Sequence, residues 1–399
     1  MATNHADMRH MNRLIVIDRI RKIGLLSRSD IAASTGLNRA TVSSIVDDLI
    51  QDRIVIEADL QDSRGGRPGK NVQLNPHGGY AIGIDIEVGF VSIIATDLTA
   101  NVLFRREIQM TPPQPYAEIM QKAEYLISEA LAFGKAQNYP LIGIGVAIPG
   151  IIDSKDGCIT LAPNLAWRNI PLKAILTDHF NLPIFVENDA NYGAYGEYIF
   201  GAGRESSSLL YVSTGIGLGG GIILNGQLMV GRDGYAGEIG HTVIDVNGSP
   251  CACGKRGCWE TFVNEIAICQ YIKELVATCE SYFLKKYCER GLDSLTFSAI
   301  FSAAKAGERV ALQTLEHLAY YLGLGIGNMI NIFNPEIVVL GGVYSPAYPL
   351  MRNVLEKTAA ETVLKPNKRM NILPAACGGD AVLMGAVGTV IDAKLHASN

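Results

Sequence analysis

The sequence predicts an α/β protein in two parts: a winged helix-turn-helix over residues 1–75, then a two-lobed α/β domain. Three observations carry this. The hydrophobic rhythm changes near residue 80, from short helices and a Gly/Arg-rich hairpin to apolar strands interleaved with long helices. The strand-rich pattern occurs twice. At 399 residues the chain also exceeds what one compact core organises.

In the first part, Leu14, Ile15, Ile17, Ile20 and Ile23 recur at helical spacing, with Arg13, Arg19, Arg21 and Lys22 largely opposite and Gly24 as the stop. Ser29 is placed to cap a short helix through Ala33, with Asp30 in its first turn, before the turn Thr35-Gly36-Leu37-Asn38. Asn38 then caps a third helix, Ala40 to Gln51. Its Val42, Ile45, Val46 and Leu49 face inward, which leaves Arg39, Thr41, Ser43 and Ser44 outward near the N-terminal end. That end is what a recognition helix presents to base edges in a major groove. A strand from Ile54 to Ala58 leads into Asp62–Lys70 and returns through Val72 and Leu74. Arg64, Arg67 and Lys70 stand there among glycines and a proline, on a tip narrow enough for a minor groove. The unit predicts double-stranded DNA as partner; a winged helix that docks a protein has the same outline.

From Tyr80 onward, Ala81–Asp85, Phe90–Asp97 and Val102–Met110 read as a meander, followed by a helix from Tyr116 to Gln137 and a buried strand at Ile142–Ile148. The second half repeats the scheme with a strand at Ser208–Ser213, a glycine-rich run Thr214–Gly221 and a strand through Ile222–Leu224. A long helix, Leu312 to Phe333, carries Gly323, Gly325 and Gly327 for close backbone approach and stops at Asn334-Pro335. Ile337–Leu340 is a parallel-type strand ending at Gly341-Gly342. A helix from Pro346 to Val363, a strand at Met370–Leu373 and a last helix beginning near Asp380 complete the chain. Two similar halves predict two lobes with a cleft between them.

One loop carries the strongest chemical signal. His241, Cys251, Cys253 and Cys258 lie within Gly237–Glu260. Three thiolates and an imidazole complete a tetrahedral zinc shell with no position left for a reactive water, which predicts a structural zinc. The loop also fixes Glu238 and Glu260, and His241 can serve metal and ligand through its two ring nitrogens.

Composition narrows the class. With 48% hydrophobic and 18% charged residues the chain reads as a soluble globular protein. The longest apolar run, Leu141 to Ile152, is broken by Gly143, Gly145, Pro149 and Gly150 and is too short for a membrane span. Asp7, Arg9, Arg13 and Asp18 leave no apolar signal segment, so a cytoplasmic location is expected. Cys158, Cys269, Cys279, Cys288 and Cys377 are expected to be reduced. Residues 1–76 hold 11 Lys+Arg against 9 Asp+Glu, a balance of +2 that leaves −7 on the remainder of a chain whose net charge is −5. Such a modest asymmetry permits nucleic-acid binding without establishing it.

Taken together, the winged helix, Gly237–His241, the CxCx4C loop, Glu187–Asn191 and the Thr214–Gly221 run resemble the ROK family of repressors and sugar kinases, over nearly the full length. The resemblance implies an actin-like, sugar-kinase-type fold behind the DNA-binding domain. Its smaller lobe is expected at 76–195 with 381–399 returning to it, and its larger lobe, with the zinc loop, at 196–380. It assigns monosaccharide binding to Asn164, Asn188, Asp189, Glu238, His241 and Glu260. Carboxylates that only accept hydrogen bonds, and asparagines that do both, suit the discrimination of hydroxyl positions. Asn188-Asp189 reads equally as a helix cap. Pro163-Asn164 with Trp167-Arg168, Asn191–Glu197 and Cys258-Trp259-Glu260 are most like the branch that regulates xylose operons. Trp167 and Trp259 read either as sugar-stacking surfaces or as core.

In the family's kinases the aspartate matching Asp189 is the general base, and a D-x-G-G-T turn holds ATP. Here that strand ends Asp85-Ile86-Glu87-Val88-Gly89, whose added charge and bulk oppose phosphate. The resemblance therefore implies a non-catalytic, sugar-responsive repressor, a homodimer or dimer of dimers on a palindromic operator. The alternative is an ATP-dependent sugar kinase that also carries a DNA-binding domain.

Overall fold

A computed structural model describes residues 5–58, 70–276, 295–365 and 371–397. The chain groups into two compact units, Met1–Glu187 with Ala386–Asn399, and Asn188–Gly385.

The first unit opens with helices α1 (His5–Ile23), α2 (Arg28–Thr35) and α3 (Arg39–Gln51), with strand β1 (Leu26–Ser27) before α2. Ser27 rather than Ser29 caps α2. Its hydroxyl accepts from the Asp30 amide while the Asp30 carboxylate accepts from the Ser27 amide, a reciprocal capping box that a serine two residues further in cannot form with Asp30. Gly36 closes α2 in the left-handed region at φ 73°, and Asn38 caps α3 by accepting from the Thr41 amide at 2.8 Å. Val42, Ile45, Val46 and Leu49 are buried, as the periodicity predicts, against Val16, Ile17 and Ile20 of α1 and Ile31 of α2 in a small core. Strands β2 (Val55–Ala58) and β3 (Asn71–Leu74) pair antiparallel with β3 central, in the order β1-β3-β2. This is the winged-helix outline. The tip that joins β2 to β3, with Arg64 and Arg67, lies outside the described residues.

The same unit continues with strands β4 (Tyr80–Ile86), β5 (Phe90–Asp97) and β6 (Val102–Gln109), helix α4 (Tyr116–Ala136) and strand β7 (Leu141–Ile148). A small antiparallel sheet, β8 (Ile151–Asp153), β9 (Cys158–Ala162) and β10 (Trp167–Ile170), precedes α5 (Leu172–Phe180) and β11 (Ile184–Asn188). The main sheet runs β11-β7-β4-β5-β6, with β4 parallel to β7 and antiparallel to β5. Ile82, Ile84 and Ile86 join Ile119, Leu126 and Ile127 of α4 in its core.

The second unit starts with α6 (Asp189–Ile199) and strands β12 (Leu209–Thr214), β13 (Leu218–Leu224) and β14 (Gln227–Leu228). After the metal-type loop come α7 (Glu260–Val263) and α8 (Glu265–Val276). Helices α9 (Phe297–Lys305) and α10 (Arg309–Phe333), strand β15 (Ile337–Leu340), helix α11 (Tyr348–Thr362), strand β16 (Ile372–Pro374) and helix α12 (Ala381–His396) follow. Its sheet runs β14-β13-β12-β15-β16, with β12 parallel to β15 and antiparallel to β13. Read from the other edge, this is the order of the first sheet, and β4, β5, β6 and β7 pair in the same directions as β12, β13, β14 and β15, so the duplicated halves share a topology.

Three expectations are corrected here. The glycine run is mostly strand: Gly219, Gly220 and Gly221 lie inside β13, and only Gly215–Gly217 turns. A Cβ on Gly221 would stand 2.4 Å from the Ala190 carbonyl, and one on Gly219 3.1 Å from the Ala190 Cβ, so the glycines let α6 lie directly on the sheet. The helix placed at Pro346–Val363 begins as a 3₁₀ segment, Gly342–Ala347, and is α-helical only from Tyr348. Ile86 is fully buried in β4 and puts no bulk into the following turn, which consists of Glu87–Gly89. Met370, Cys279 and Cys288 lie outside the described residues; no disulfide forms among the described cysteines. No described helix is long and apolar enough to cross a membrane.

Candidate functional site

The loop from Val243 to Cys258 is a distorted hairpin, held by bridges Val243↔Cys258 and Pro250↔Arg256 and by the Lys255 ammonium donating to the His241 carbonyl at 2.8 Å. Gly257, at φ 66°, lies so close to the Asp245 carbonyl that a Cβ there would be 1.5 Å away. The fold brings His241, Cys251, Cys253 and Cys258 together, with their donor atoms all within 4.8 Å of one another. Cys253 Sγ is 3.6 Å from Cys258 Sγ, and Cys251 Sγ is 3.6 Å from His241 Nδ1. The edge of a tetrahedral zinc–thiolate shell is about 3.8 Å, so the four side chains are spaced to hold a metal ion. The Cys253 amide, 3.4 Å from Cys251 Sγ, is oriented to stabilise a thiolate.

His241 faces two ways. Nδ1 looks toward Cys251 and toward Glu260 Oε1 at 3.3 Å, and Nε2 toward Glu238 Oε2 at 3.7 Å. Glu260 is fixed by its neighbour: Trp259 is fully buried, donates from Nε1 to the Tyr321 carbonyl at 2.9 Å, and lies against Gly325, where a Cβ would be 2.0 Å from the ring. Glu260 Oε2 in turn lies beside the glycine turn, 3.4 Å from the Cβ position of Gly217. Glu238 is set by Gly237 and Gly240, whose Cβ positions fall 2.2 Å and 2.0 Å from the carbonyls of Gly220 and Leu218 at the start of β13.

Asp189 begins α6 and Asn188 is its N-cap, accepting from the Asn191 amide at 3.1 Å. The cap reading of this pair therefore holds. Burial, together with the Glu238 charge, pushes the Asp189 carboxyl up to about 6 against the pull of nearby amide donors. Burial also raises Glu238, opposed by His241 and reinforced by Glu260. The second unit thus gathers Asn188, Asp189, Glu238, His241 and Glu260, a set of hydrogen-bond acceptors around a single imidazole. Asn164 belongs to the first unit, exposed on the 3₁₀ turn Pro163–Leu165. Both tryptophans are core residues: Trp167 packs edge-on against Tyr116, and Trp259 plugs the helical core of the second unit.

On the winged helix, Arg39 and Ser44 are exposed and Thr41 and Ser43 half-buried at the leading end of α3. Arg28 ties α3 to the sheet, pairing with Asp47 at 2.8 Å and Glu57 at 3.3 Å. Lys70 is less free than the sequence implies. It pairs with Glu57, and that ammonium holds the Glu57 carboxyl below its usual range.

Sequence reasoning gave no role to Glu197. It is fully buried, and its carboxylate accepts from the amides of Ala202 at 2.8 Å, Ala376 at 3.1 Å and Cys377 at 2.7 Å, fastening α6 to the segment that leads into α12. An acid among Gly193, Ala194 and Gly196, on a helix with no polar face, is the signal that marks it.

Residues 81–393 match the ROK family. The xylose repressor of Caldicellulosiruptor bescii is 38% identical over 339 residues, covering 85% of this chain and 84% of that protein. A glucokinase of Halalkalibacterium halodurans is 37% identical over 292 residues, 73% of this chain and 84% of its own length. Among solved structures, a ROK family transcriptional regulator homologous to the E. coli MLC protein superimposes with a TM-score of 0.83 at 27% identity, covering 98% of this chain and 97% of that one.

Proposed function

The chain belongs to the ROK family, and from that premise we propose how its parts divide the work of a sugar-responsive transcriptional repressor. The observation that carries the reading is the pairing, in one chain, of a winged helix with the acid-and-imidazole cluster at Asp189, Glu238, His241 and Glu260. Likeness to a xylose repressor over most of its length supports the same conclusion.

In this reading α3 enters the major groove of operator DNA through Arg39, Thr41, Ser43 and Ser44. The wing, with Arg64, Arg67 and Lys70, follows the backbone and minor groove. Lys70 exchanges Glu57 for phosphate on binding. The effector is an aldose such as xylose, contacted by Asn188, Asp189, Glu238, His241 and Glu260. His241, Cys251, Cys253 and Cys258 would hold a structural zinc, which would brace the loop that carries Glu238 and Glu260, and His241 would keep one ring nitrogen for the sugar. A cytoplasmic homodimer or dimer of dimers places two winged helices on a palindromic operator.

A second reading, residual sugar kinase activity, is favoured by Asp189, whose raised carboxyl suits a general base, and by the glucokinase relative. Glu87 in the turn after β4 opposes it by placing a carboxylate where the kinases' phosphate-binding turn lies. Calorimetric titration with D-xylose, D-glucose and N-acetylglucosamine, paired with an ADP-release assay, separates the two. Binding without turnover supports the repressor reading, and ADP release lost in Asp189→Asn supports the kinase.

A further inference from the structure

Resting on the repressor reading, we propose that helix α12 carries the effector signal to the DNA-binding segment and that the Arg21–Asp392 ion pair is where the signal is delivered. The helix changes unit part-way along its length. Its residues up to Gly385 group with the second unit and those from Ala386 onward with the first. A helix is a stiff element, so a displacement at one end is felt at the other.

Its first turns are pressed on α6, the helix that begins at Asp189. A Cβ on Gly196 would lie 2.1 Å from the Ala381 carbonyl oxygen and 2.8 Å from the Gly385 amide nitrogen, and one on Gly385 would lie 1.8 Å from the Tyr192 carbonyl oxygen. No side chain cushions this crossing. Glu197 adds a second tie by holding the amides of Ala376 and Cys377, just before α12 starts. A ligand that shifts the N-terminus of α6 therefore shifts the start of α12 with it.

Further along, α12 is seated on β7 at two glycine notches. A Cβ on Gly145 would be 2.5 Å from the Ala386 carbonyl oxygen, and one on Gly143 3.2 Å from Val390 Cγ1. Two residues beyond, Asp392 pairs with Arg21 of α1; the two side chains are only 13% and 15% exposed. Arg21 also holds Asp18 at 2.9 Å, on a helix whose Val16, Ile17 and Ile20 are fully buried in the winged-helix core. A largely buried pair of this kind resists partial separation, because each charge left alone inside is strongly destabilising. Displacing Asp392 therefore moves α1. Neither residue belongs to the operator-facing or sugar-facing sets, so the pair can be changed without touching either.

The test uses the full chain, a duplex enriched from a random pool by that chain, and D-xylose as probe. Arg21→Ala and Asp392→Asn should bind duplex without sugar, and D-xylose without duplex, within about 2-fold of the unaltered chain. The factor by which sugar weakens duplex binding should fall by about 5-fold or more. The charge exchange R21D/D392R should restore at least half of the lost coupling, in logarithmic units. In the unaltered chain, D-xylose should also change amide exchange in residues 386–396 and in α1. Single variants that keep the full sugar effect overturn the inference alone, as does unaltered exchange in both segments. An unaltered chain whose duplex affinity ignores a bound sugar overturns the repressor reading as well.

Discussion

A carboxylate taken out of water is poorly tolerated as an anion, and Asp189, desolvated by burial and with the Glu238 charge as a smaller contribution, shows this most clearly. Its pKa is raised, so the folded chain holds that proton more tightly than the unfolded one, and the associated stability is lost as pH rises from about 4 through about 6. Asp189→Asn should accordingly raise the melting temperature at pH 7.5, by the equivalent of about 1–3 kcal/mol, with the gain shrinking toward pH 4, while sugar binding is lost. A melting-temperature difference that is flat with pH would contradict the burial argument. The metal cluster makes the second residue-scale prediction: elemental analysis should find one zinc per chain, and Cys258→Ser should lose both the metal and the sugar affinity. This cluster was legible in the sequence because its ligands are neighbours along the chain, so spacing alone defines it. Glu197 was not, because its three amide partners include two almost 180 residues away and nothing local requires them.

At the level of elements, periodicity identified the buried face of α3, and apolar runs identified both parallel strands beside β12 and β4, since burial is what period-3.6 and continuous apolar runs encode. It misjudged the glycine run. Three consecutive glycines suggest a loop by composition, yet in β13 they serve packing, and only the neighbouring α6 reveals that. The cap of α2 was misplaced by two residues because Ser27 and Ser29 are equivalent in sequence; the reciprocal bond with Asp30 selects the first. Two predictions belong here. Gly325→Ala drives a methyl into the buried indole of Trp259 and should destabilise the second unit by about 3 kcal/mol, with reduced zinc content because Cys258 adjoins that ring; thermal unfolding and metal analysis check it. Arg39→Ala should weaken operator binding about 5- to 150-fold and flatten base preference at one position, whereas Lys70→Ala should weaken all sequences alike and reduce the salt dependence by about one phosphate contact. A selection from random duplexes distinguishes these outcomes.

For the molecule as a whole, the doubled strand pattern was readable because each half repeats the same order of meander, helix and parallel strands, and the structure confirms two sheets of matching topology. A return of 381–399 to the smaller lobe is an expectation that rests on the family resemblance; the proposed part of α12 in signalling depends on backbone approaches at Gly196 and Gly385 that no periodicity encodes. The central claim is that a sugar held by the acid-and-histidine cluster loosens the grip of the winged helix on DNA. The most direct measurement is fluorescence anisotropy of a labelled operator duplex titrated with the full chain at fixed salt, with and without saturating D-xylose. A sugar-binding difference of 2–3 kcal/mol between the two states predicts about 30- to 150-fold weaker operator binding in the presence of sugar. Superimposable titrations, with xylose binding shown calorimetrically on the same sample, would contradict it.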